Sequence, residues 1–545
     1  GLQPGEEIVL RMTYEGVIDE AVCYPELTDE EFHDTRLMNF FRVYHQVFRH
    51  GGNYARVGDD YTLLFPECLW YPVSEPPANI NVPLSHRYDF TLYSLKVGNV
   101  GERVVISQGE ADRRGDTVVF KNQERLPRLS LSIGNYERRN VVVDSLQLEL
   151  FYFPGHDFFL EDYTTTGDSL TLLVQEPVGH IRAMRDSDYP YRKFTVVETP
   201  VNFIPYQRKG VEGSGFVQPE ILFYPERMYL GYYSHVEYWP GEEDDRNRFE
   251  LERDGFENLL MVNLSTGPFD CSVMFDDFGG ILQSDEYPGF GRVANDLSRI
   301  NLGVKPRVYL GDEIEYPEIV AYWEKKSLRD ALEDNETKYH HLRILLDWKF
   351  AQIEKHLQAL VGERELFEFA KGFKKRYLHS GPDFQVFERE FNEHFKLNLR
   401  EILDCYYDMK ELPVLFVRDM QIELHGGEDE EEYISSCKVY NPSSVPAVVT
   451  LEVNTYSMGD GEYGSGKRSF LIPPHGCKEI RNKLDDPEYF FIEMNLCQNI
   501  PGESRMQFSP KSLSRTEDGR TGVWDTDSSV FTRKEPGIVV DNGDE

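Results

Sequence analysis

Histidine pairs are the first places to look for metal binding or acid–base chemistry in this sequence, which contains fourteen histidines. His340 and His341 are adjacent near the start of a predicted helix, so their side chains point about 100° apart and cannot easily share one metal ion. His45 and His50 are five residues apart, which is also unfavourable for one helix face. His340 and His341 are therefore predicted to lie on the helix surface, and His45 and His50 are predicted to act as charges at a helix C-terminus.

Acidic residues could bind cations, and they also restrict the partners of the chain. Residues 428–432 and 242–245 are acidic runs, but they lack the alternating oxygen ligands of a known calcium loop and are predicted to be solvated. The formal net charge of -37 argues against nucleic acid and against anionic membrane surfaces as partners. The seven cysteines include no C-x-x-C pair, so they indicate neither a metal site nor a redox site.

A cluster of aromatic residues could line a groove for a peptide or a sugar, because both ligands stack on rings. Packing in the core or in loops is the favoured alternative. The cluster consists of Phe223, Tyr224, Tyr229, Tyr232, Tyr233, Tyr238 and Trp239.

The elements that would position these groups include a series of amphipathic helices. In the longest one, apolar residues recur at spacings of three, four and seven, which predicts one buried face, and Gly362 is the predicted C-cap. Three further helices are predicted between this glycine and Pro413, which stops the last one. The residues predicted to be buried in the long helix are Leu342, Leu346, Ile353, Leu357 and Leu360.

Most of the chain on either side of these helices is predicted to be β-sheet. Apolar residues alternate over residues 8–14, which is the period of a half-buried strand. Short strand-like runs separated by Gly, Pro, Asn and Asp follow, and similar runs return after Pro413. We predict an α+β multidomain chain with an N-terminal antiparallel β domain at 1–204, a mixed domain with a helical half at 205–411, a C-terminal β-sandwich at 412–508, and a tail or linker at 509–545.

Three motifs, taken in order, resemble the zinc aminopeptidases of the aminopeptidase N type, in the gluzincin clan. Residues 215–222 (G-F-V-Q-P-E-I-L) resemble the family's G-x-M-E-N-x-G-L strand, which lines the substrate cleft. Residues 349–362 resemble its K-G-x-x-x-L-x-x-L-x-x-x-x-G helix, and residues 383–413 resemble its closing D-F…F…P helices. The resemblance covers most of 61–508 and implies a thermolysin-like α/β fold for the middle domain. It places a vestigial cleft at Gly215, Val217, Gln218, Pro219, Glu220, Asp347 and Lys349.

The zinc motif of this family is missing from the sequence. The family binds zinc through H-E-x-x-H on a helix and a second glutamate further on. No histidine in this chain is followed by glutamate, and no two histidines are four residues apart. Residues 241–322, where the motif would fall, contain no histidine. We therefore predict no metal ligand and no cofactor.

Two other catalytic positions of the family are altered. The resemblance implies that Gln218 replaces the glutamate that holds the substrate's N-terminal ammonium, and an ion pair of this kind has a Coulomb term of up to about 4 kcal/mol at an effective dielectric near 20. Asp347 stands where the family has the tyrosine that stabilises the oxyanion, and Phe350 replaces the glycine after Lys349. A carboxylate would repel the developing negative charge. No catalytic residue is therefore predicted.

The favoured hypothesis is a non-catalytic aminopeptidase-like module used for binding or scaffolding, with an extended peptide or a protein as its ligand. Such domains also occur fused to bacterial ABC-type transporter permeases, so the resemblance implies an extracytoplasmic location and membrane attachment through segments outside this sequence. The sequence itself has no apolar run near the ~18 residues of a membrane span. Two alternatives remain: a hydrolase with a rebuilt, metal-free or altered site that pairs Asp347 with another acid, and a glycan-binding surface protein.

Overall fold

The computed structural model describes most of the regular elements of the chain. The residues described are 8–18, 55–73, 90–143, 146–156, 191–200, 217–225, 282, 284–297, 322, 325–334, 339–411, 413, 415–426, 432–456, 463–484, 489–495, 503–508, 514–516 and 518–526.

The chain divides into two compact units. The first comprises Gly1–Gln283 and Lys374–Pro382, and the second comprises Ser284–Phe373 and Asp383–Glu545. Sheets and helices are both present, so the predicted multidomain α+β class is confirmed at this level. The thermolysin-like middle domain and the predicted boundaries at 204, 411 and 508 stay predictions.

The first unit consists of three sheets among the residues that the structure describes. Their strand orders are β1-β2-β7-β4, β3-β6-β5 and β11-β12-β10-β9-β8. The strands are β1 (Ala55–Val57), β2 (Thr62–Leu64), β3 (Ser94–Gly98), β4 (Val104–Ser107), β5 (Glu110–Arg114), β6 (Thr117–Lys121), β7 (Leu131–Gly134), β8 (Glu137–Val143), β9 (Leu146–Tyr152), β10 (Lys193–Thr199), β11 (Val217–Gln218) and β12 (Ile221–Pro225).

One part of the first unit differs from the predicted antiparallel arrangement. Strand β10 pairs in parallel with both β9 and β12. Parallel strands need a long crossover connection, and about forty residues separate β9 from β10. All but the first residue of β10 are buried, as expected for a central strand that is covered on both faces.

The alternating segment near the start of the chain is not a half-buried strand. Residues 8–17 form no regular element, and the side chains of Ile8, Leu10, Met12 and Tyr14 are all at least 59% exposed. The Tyr14 hydroxyl donates a hydrogen bond to the Trp70 carbonyl oxygen. Alternation indicates which side chains would share one face, but it does not specify a partner strand, and that is why the prediction was wrong.

The second unit begins with helices. The helices described are α1 (Phe290–Leu297), α2 (Leu328–Glu333), α3 (Tyr339–Val361), α4 (Glu363–Arg376), α5 (Phe384–Phe395) and α6 (Leu399–Asp408).

Helix α3 is the long helix that the periodicity predicts. Leu346, Ile353 and Leu357 are buried as predicted, and Gly362 has the positive φ of 90° expected of a left-handed C-cap. Leu360 is 39% exposed, which corrects its predicted burial. It lies in the last turn of α3, where the apolar periodicity continues beyond the buried part of the helix. The side chain of Leu342 lies outside the description.

Phenylalanine rings form the contact between α1, α4 and α5. Phe387 is 1% exposed, and its ring centroid lies 5.6 Å from that of Phe290 and 4.9 Å from that of Phe373. Phe369 and Phe391 complete the ring contacts around it, at 5.6 and 6.1 Å. This cluster therefore accounts for much of the apolar burial between these helices.

Two sheets that share one hydrophobic core form a β-sandwich after the helices. One sheet has the order β20-β13-β14-β17-β21, and the other has the order β16-β15-β18-β19. The strands are β13 (Phe416–His425), β14 (Glu432–Tyr440), β15 (Ala447–Tyr456), β16 (Tyr463–Ile472), β17 (Cys477–Leu484), β18 (Tyr489–Asn495), β19 (Glu503–Phe508), β20 (Ser514–Thr516) and β21 (Gly522–Asp525).

Part of the predicted tail belongs to this sandwich. Strands β20 and β21 lie inside the segment 509–545, and they pair with the outer strands β13 and β17. The core between the two sheets includes Ile422, Val439 and Val449. Short polar strands carry little hydrophobic periodicity, so the sequence pattern did not indicate them.

Replacing Phe387 by alanine should destabilise the second unit by about 3–5 kcal/mol, because the cavity would lie at the centre of the phenylalanine cluster. The matched control is Phe416→Ala, since Phe416 is 51% exposed. Urea unfolding followed by circular dichroism measures both effects. Equal losses of unfolding free energy in the two variants would contradict the assignment of Phe387 to the core.

Candidate functional site

The first part of the predicted cleft lies at a tight turn in the first unit. Val217 and Gln218 form strand β11 at the edge of the five-stranded sheet, and Gln218 pairs with Ile221. Pro219 and Glu220 are thus the two residues of a hairpin turn between β11 and β12. Gly215 lies outside the described residues.

Gln218 is a buried side chain and not a surface group. Its exposed fraction is 0%, and Pro219 beside it is also buried. A buried amide requires hydrogen-bond partners of its own, because leaving it unsatisfied costs free energy. In the described structure, Gln218 is therefore not placed to reach a ligand in solvent.

Glu220 occupies a backbone conformation that side-chain-bearing residues rarely adopt. Its φ is 62°, in the left-handed region that a turn of this kind normally gives to glycine or asparagine. The Gly109 N–H donates a hydrogen bond of 2.6 Å to the Glu220 carboxylate, and the Thr195 N–H donates one of 2.7 Å to the Glu220 carbonyl oxygen. These contacts hold the turn in its strained form.

Charged groups from two neighbouring strands surround this carboxylate. The Lys193 ammonium donates to the Gly109 carbonyl oxygen at 2.5 Å and lies 3.8 Å from a carboxylate oxygen of Glu149. Burial raises the pKa of Glu220 above 4.5; Lys193 and the Gly109 N–H oppose the shift, whereas Glu149 and Glu110 add to it. The result is an acid in an environment that favours its neutral form.

The second part of the predicted cleft lies on helix α3 in the second unit. Asp347 and Lys349 are both in this helix, but the side chain of Asp347 is not described. Lys349 is 2% exposed, and Phe350, which stands where the family has glycine, is 4% exposed. The two halves of the predicted cleft thus belong to different units, and a cleft that joins them stays a prediction.

A buried polar stripe runs along α3. Lys349, Gln352 and His356 follow one another at spacings of three and four residues, so they share one helix face, and all three are at most 6% exposed. The ring Nδ1 of His356 lies 2.9 Å from the Tyr406 hydroxyl on α6. Burial lowers the pKa of His356 to about 4, so this imidazole is neutral at physiological pH.

The amine of Lys349 is a second perturbed group of this stripe. Within the described part of the chain, its Nζ has no hydrogen-bond partner. Burial lowers the pKa of Lys349 to about 8, with a small opposing effect from Cys405 on α6. Burial also raises the pKa of the Cys405 thiol, and Lys349 opposes that shift. A lysine of this kind could act as a neutral amine, but its burial separates it from solvent.

Sequence reasoning missed most of the partners of these residues. Gly109, Glu149 and Lys193 come from strands or turns far from Glu220 in the chain, and no motif connects them. Gln352 and His356 could have been found, because polar residues interrupt an otherwise apolar helix face at these positions. Of the aromatic cluster, Phe223 is fully buried and packs on Phe65 at 5.2 Å, whereas residues 229–239 lie outside the described part.

Metal-binding clusters and membrane-spanning helices are both absent from the described residues. No group of three or more His, Cys, Asp or Glu side chains in them could hold a metal ion. No helix among them combines the length and the apolar character needed to cross a membrane.

Comparison with known proteins gives only distant structural likeness. No protein-family model and no curated protein matches the sequence. The chain is similar to Legionella pneumophila aminopeptidase A in complex with aspartic acid, with 10% identity and a TM-score of 0.38, over 86% of this chain and 49% of that chain. It is also similar to a zinc metallopeptidase from Deinococcus radiodurans, with 12% identity and a TM-score of 0.31, over 66% of this chain and 72% of that chain. The chain thus spans about half the length of the Legionella enzyme.

Replacing Lys349 by methionine should stabilise the protein at about pH 7, because a buried amine is removed while the chain volume is kept. Lys349 loses its proton near pH 8 in the folded chain and near pH 10.5 in the unfolded chain. Burial of the ammonium therefore lowers the free energy of unfolding fully below pH 8, and this loss of stability fades as the pH rises above 8. The gain should be up to about 3 kcal/mol and should shrink towards about pH 10. Urea unfolding at several pH values measures it.

The control for this experiment is Lys355→Met, on a partly exposed lysine of the same helix. It should leave the pH dependence of stability unchanged. A destabilised Lys349→Met variant at every pH would show that the ammonium is paired in solution.

Replacing Glu220 by glutamine should also stabilise the protein near neutral pH. Because the pKa of Glu220 is raised in the folded chain, the ionised carboxylate destabilises the folded chain at a pH above that pKa. This destabilisation disappears as the pH falls towards 4.5, where the carboxyl group is protonated. The amide keeps an acceptor for the Gly109 N–H. The melting temperature of Glu220→Gln should therefore exceed that of the wild type at neutral pH and approach it in acid. Glu102→Gln, at an exposed position, is the control, and a wider gap in acid would disprove the argument.

Proposed function

We propose that this chain is a non-catalytic aminopeptidase-like module that binds or scaffolds an extended peptide or a protein ligand. The observation that carries the proposal is the burial of Gln218. At the position where the resembled family holds the substrate ammonium with a glutamate, this chain has an uncharged amide whose exposed fraction is 0%. Such a side chain provides neither the charge nor the access that amine recognition requires.

The second half of the predicted cleft supports the same proposal. Lys349 and Phe350 are core residues of α3, with exposed fractions of 2% and 4%. Phe350 takes the place of the glycine that the resembled motif has after lysine, so a large ring replaces a position without a side chain. Packing against the helical core is therefore the role that these residues perform best.

The zinc chemistry of the resembled family has no counterpart in this sequence. A catalytic zinc site needs three protein ligands and a general base, and H-E-x-x-H supplies two of the ligands and the base from one helix. No histidine of this chain is followed by glutamate. The proposal extends to attachment of the module to a membrane protein such as an ABC-type permease, which rests on the sequence resemblance alone.

The test combines metal analysis with an activity assay on the full chain. Zinc measured by mass spectrometry after purification in zinc-supplemented buffer should be far below one ion per chain. Fluorogenic aminoacyl substrates should show no chelator-sensitive hydrolysis. The matched variant Gln218→Glu restores the family's residue type and should remain inactive, because the metal ligands are still missing.

Stoichiometric zinc together with chelator-sensitive turnover would overturn the proposal. Hydrolysis that resists chelators and is abolished by Asp347→Asn would instead support a hydrolase with a rebuilt, metal-free site.

A further inference from the structure

A partly exposed thiol and a buried amine lie where helices α3 and α6 pack together in the second unit. Cys405 is in the last turn of α6, and its side chain is partly exposed. The other described cysteines, Cys68, Cys437 and Cys477, are buried. Among the described cysteines, Cys405 is therefore the one that a small reagent in solvent reaches most easily.

Lys349 on α3 is the neighbour of this thiol. The two helices are joined where His356 Nδ1 lies 2.9 Å from the Tyr406 hydroxyl. Lys349 is two turns before His356 on the same face of α3, and Cys405 directly precedes Tyr406 on α6. Within the described residues, Lys349 and Cys405 are each the only titratable side chain whose charge shifts the pKa of the other.

The amine of Lys349 lacks an acceptor in the described structure. Its residue is 2% exposed, and Nζ donates no hydrogen bond. With a pKa of about 8, the amine is mostly protonated at neutral pH, so a positive charge is buried there without a counterion. An uncompensated buried charge destabilises the folded chain, and an anion beside Nζ would offset that cost.

The carboxylates of α6 on either side of the thiol are directed to other partners. The Tyr287 hydroxyl donates a hydrogen bond of 2.5 Å to Asp404, and Arg329 Nε donates one of 2.8 Å to Asp408. Neither carboxylate is among the groups that shift the pKa of the buried amine. The sulfur is therefore the atom next to this amine at which an anion can be formed.

We propose that Cys405 is an oxidation site for peroxides, and that the Lys349 ammonium holds the anionic sulfinate formed there. The thiolate attacks one oxygen of a hydroperoxide, so that an S–O bond forms, the O–O bond breaks and hydroxide leaves, which gives the sulfenic acid. A second peroxide transfers one oxygen to this sulfur and is reduced to water, and the resulting sulfinic acid releases its proton to solvent. The ammonium then donates a charge-assisted hydrogen bond to a sulfinate oxygen.

Two features of the site determine the rate and the effect of this oxidation. Burial raises the pKa of the Cys405 thiol, so the thiolate is scarce at neutral pH, and oxidation should become faster as the pH rises. The last turn of α6 carries negative partial charge, which disfavours an anion at this position. The sulfinate therefore depends on the Lys349 ammonium, and pairing between them should make the oxidised chain more stable than the reduced chain.

The test treats the full chain with hydrogen peroxide at about pH 8.5, where more of the thiol is ionised, and then returns it to neutral pH. Peptide mass spectrometry should find two added oxygen atoms on Cys405, with the buried Cys68, Cys437 and Cys477 as internal controls that stay reduced. The urea midpoint of the oxidised chain should be higher than that of the reduced chain. The midpoint of Cys405→Ser should not respond to peroxide.

The variant Lys349→Met separates an ion pair from a general effect of oxidation. Without the ammonium, the sulfinate lies in the helical core without a counterion, so oxidation should lower the urea midpoint of this variant. Lys355→Met, on a partly exposed lysine of the same helix, should respond as the wild type does. In the oxidised wild type, the loss of stability below pH 8 that Lys349 causes should also disappear, because its ammonium is then paired.

Two results would overturn the proposal. One is a folded chain in which Cys405 takes up no oxygen under these conditions. The other is a wild type whose urea midpoint falls on oxidation of Cys405 while that of Cys405→Ser does not change, and this second result needs no variant of Lys349.

Discussion

The cost of removing polar and charged groups from water is the constraint on which the described sites depend. Lys349 lies in the middle of helix α3, which contacts α1, α2 and α6 as well as the sandwich strands β15 and β16. Its amine responds to burial by a lowered pKa instead of by pairing. His356 responds in the same way and stays neutral beside Tyr406. The helical core therefore keeps His356 uncharged at neutral pH, whereas Lys349 is still protonated below about pH 8 and lowers the stability of the folded chain there.

The first unit meets the same constraint differently. Glu220 keeps a carboxyl group in a partly buried, strained turn, where Gly109 and Lys193 supply a donor and a nearby charge. The hydrogen bond from Gly109 links the turn before strand β12 to the loop between β4 and β5, and this loop is distant from the turn in the sequence. Strain at Glu220 is thus balanced by contacts that join two sheets, which explains how a non-glycine residue occupies this position.

These solutions bear on what the module can do. A peptidase needs charged groups that are held at a surface where substrate can reach them. Here Gln218 and Lys349, two of the described residues at the resembled positions, are buried, and Glu220 is partly buried.

The sequence by itself determined helices α3 to α6 and the broad class. Ile353, Leu357 and Gly362 define α3 and its end, because a helix is specified by contacts between residues three or four apart. It did not determine the parallel pairing of β10, the exposure of residues 8–17, or strands β20 and β21. Each of these depends on which distant segment supplies the hydrogen-bonding partner or the cover, and a local period contains no information about that. The surroundings of Glu220 and Lys349 were decided by tertiary structure for the same reason: burial and charge at a site come from neighbours that are remote in the chain.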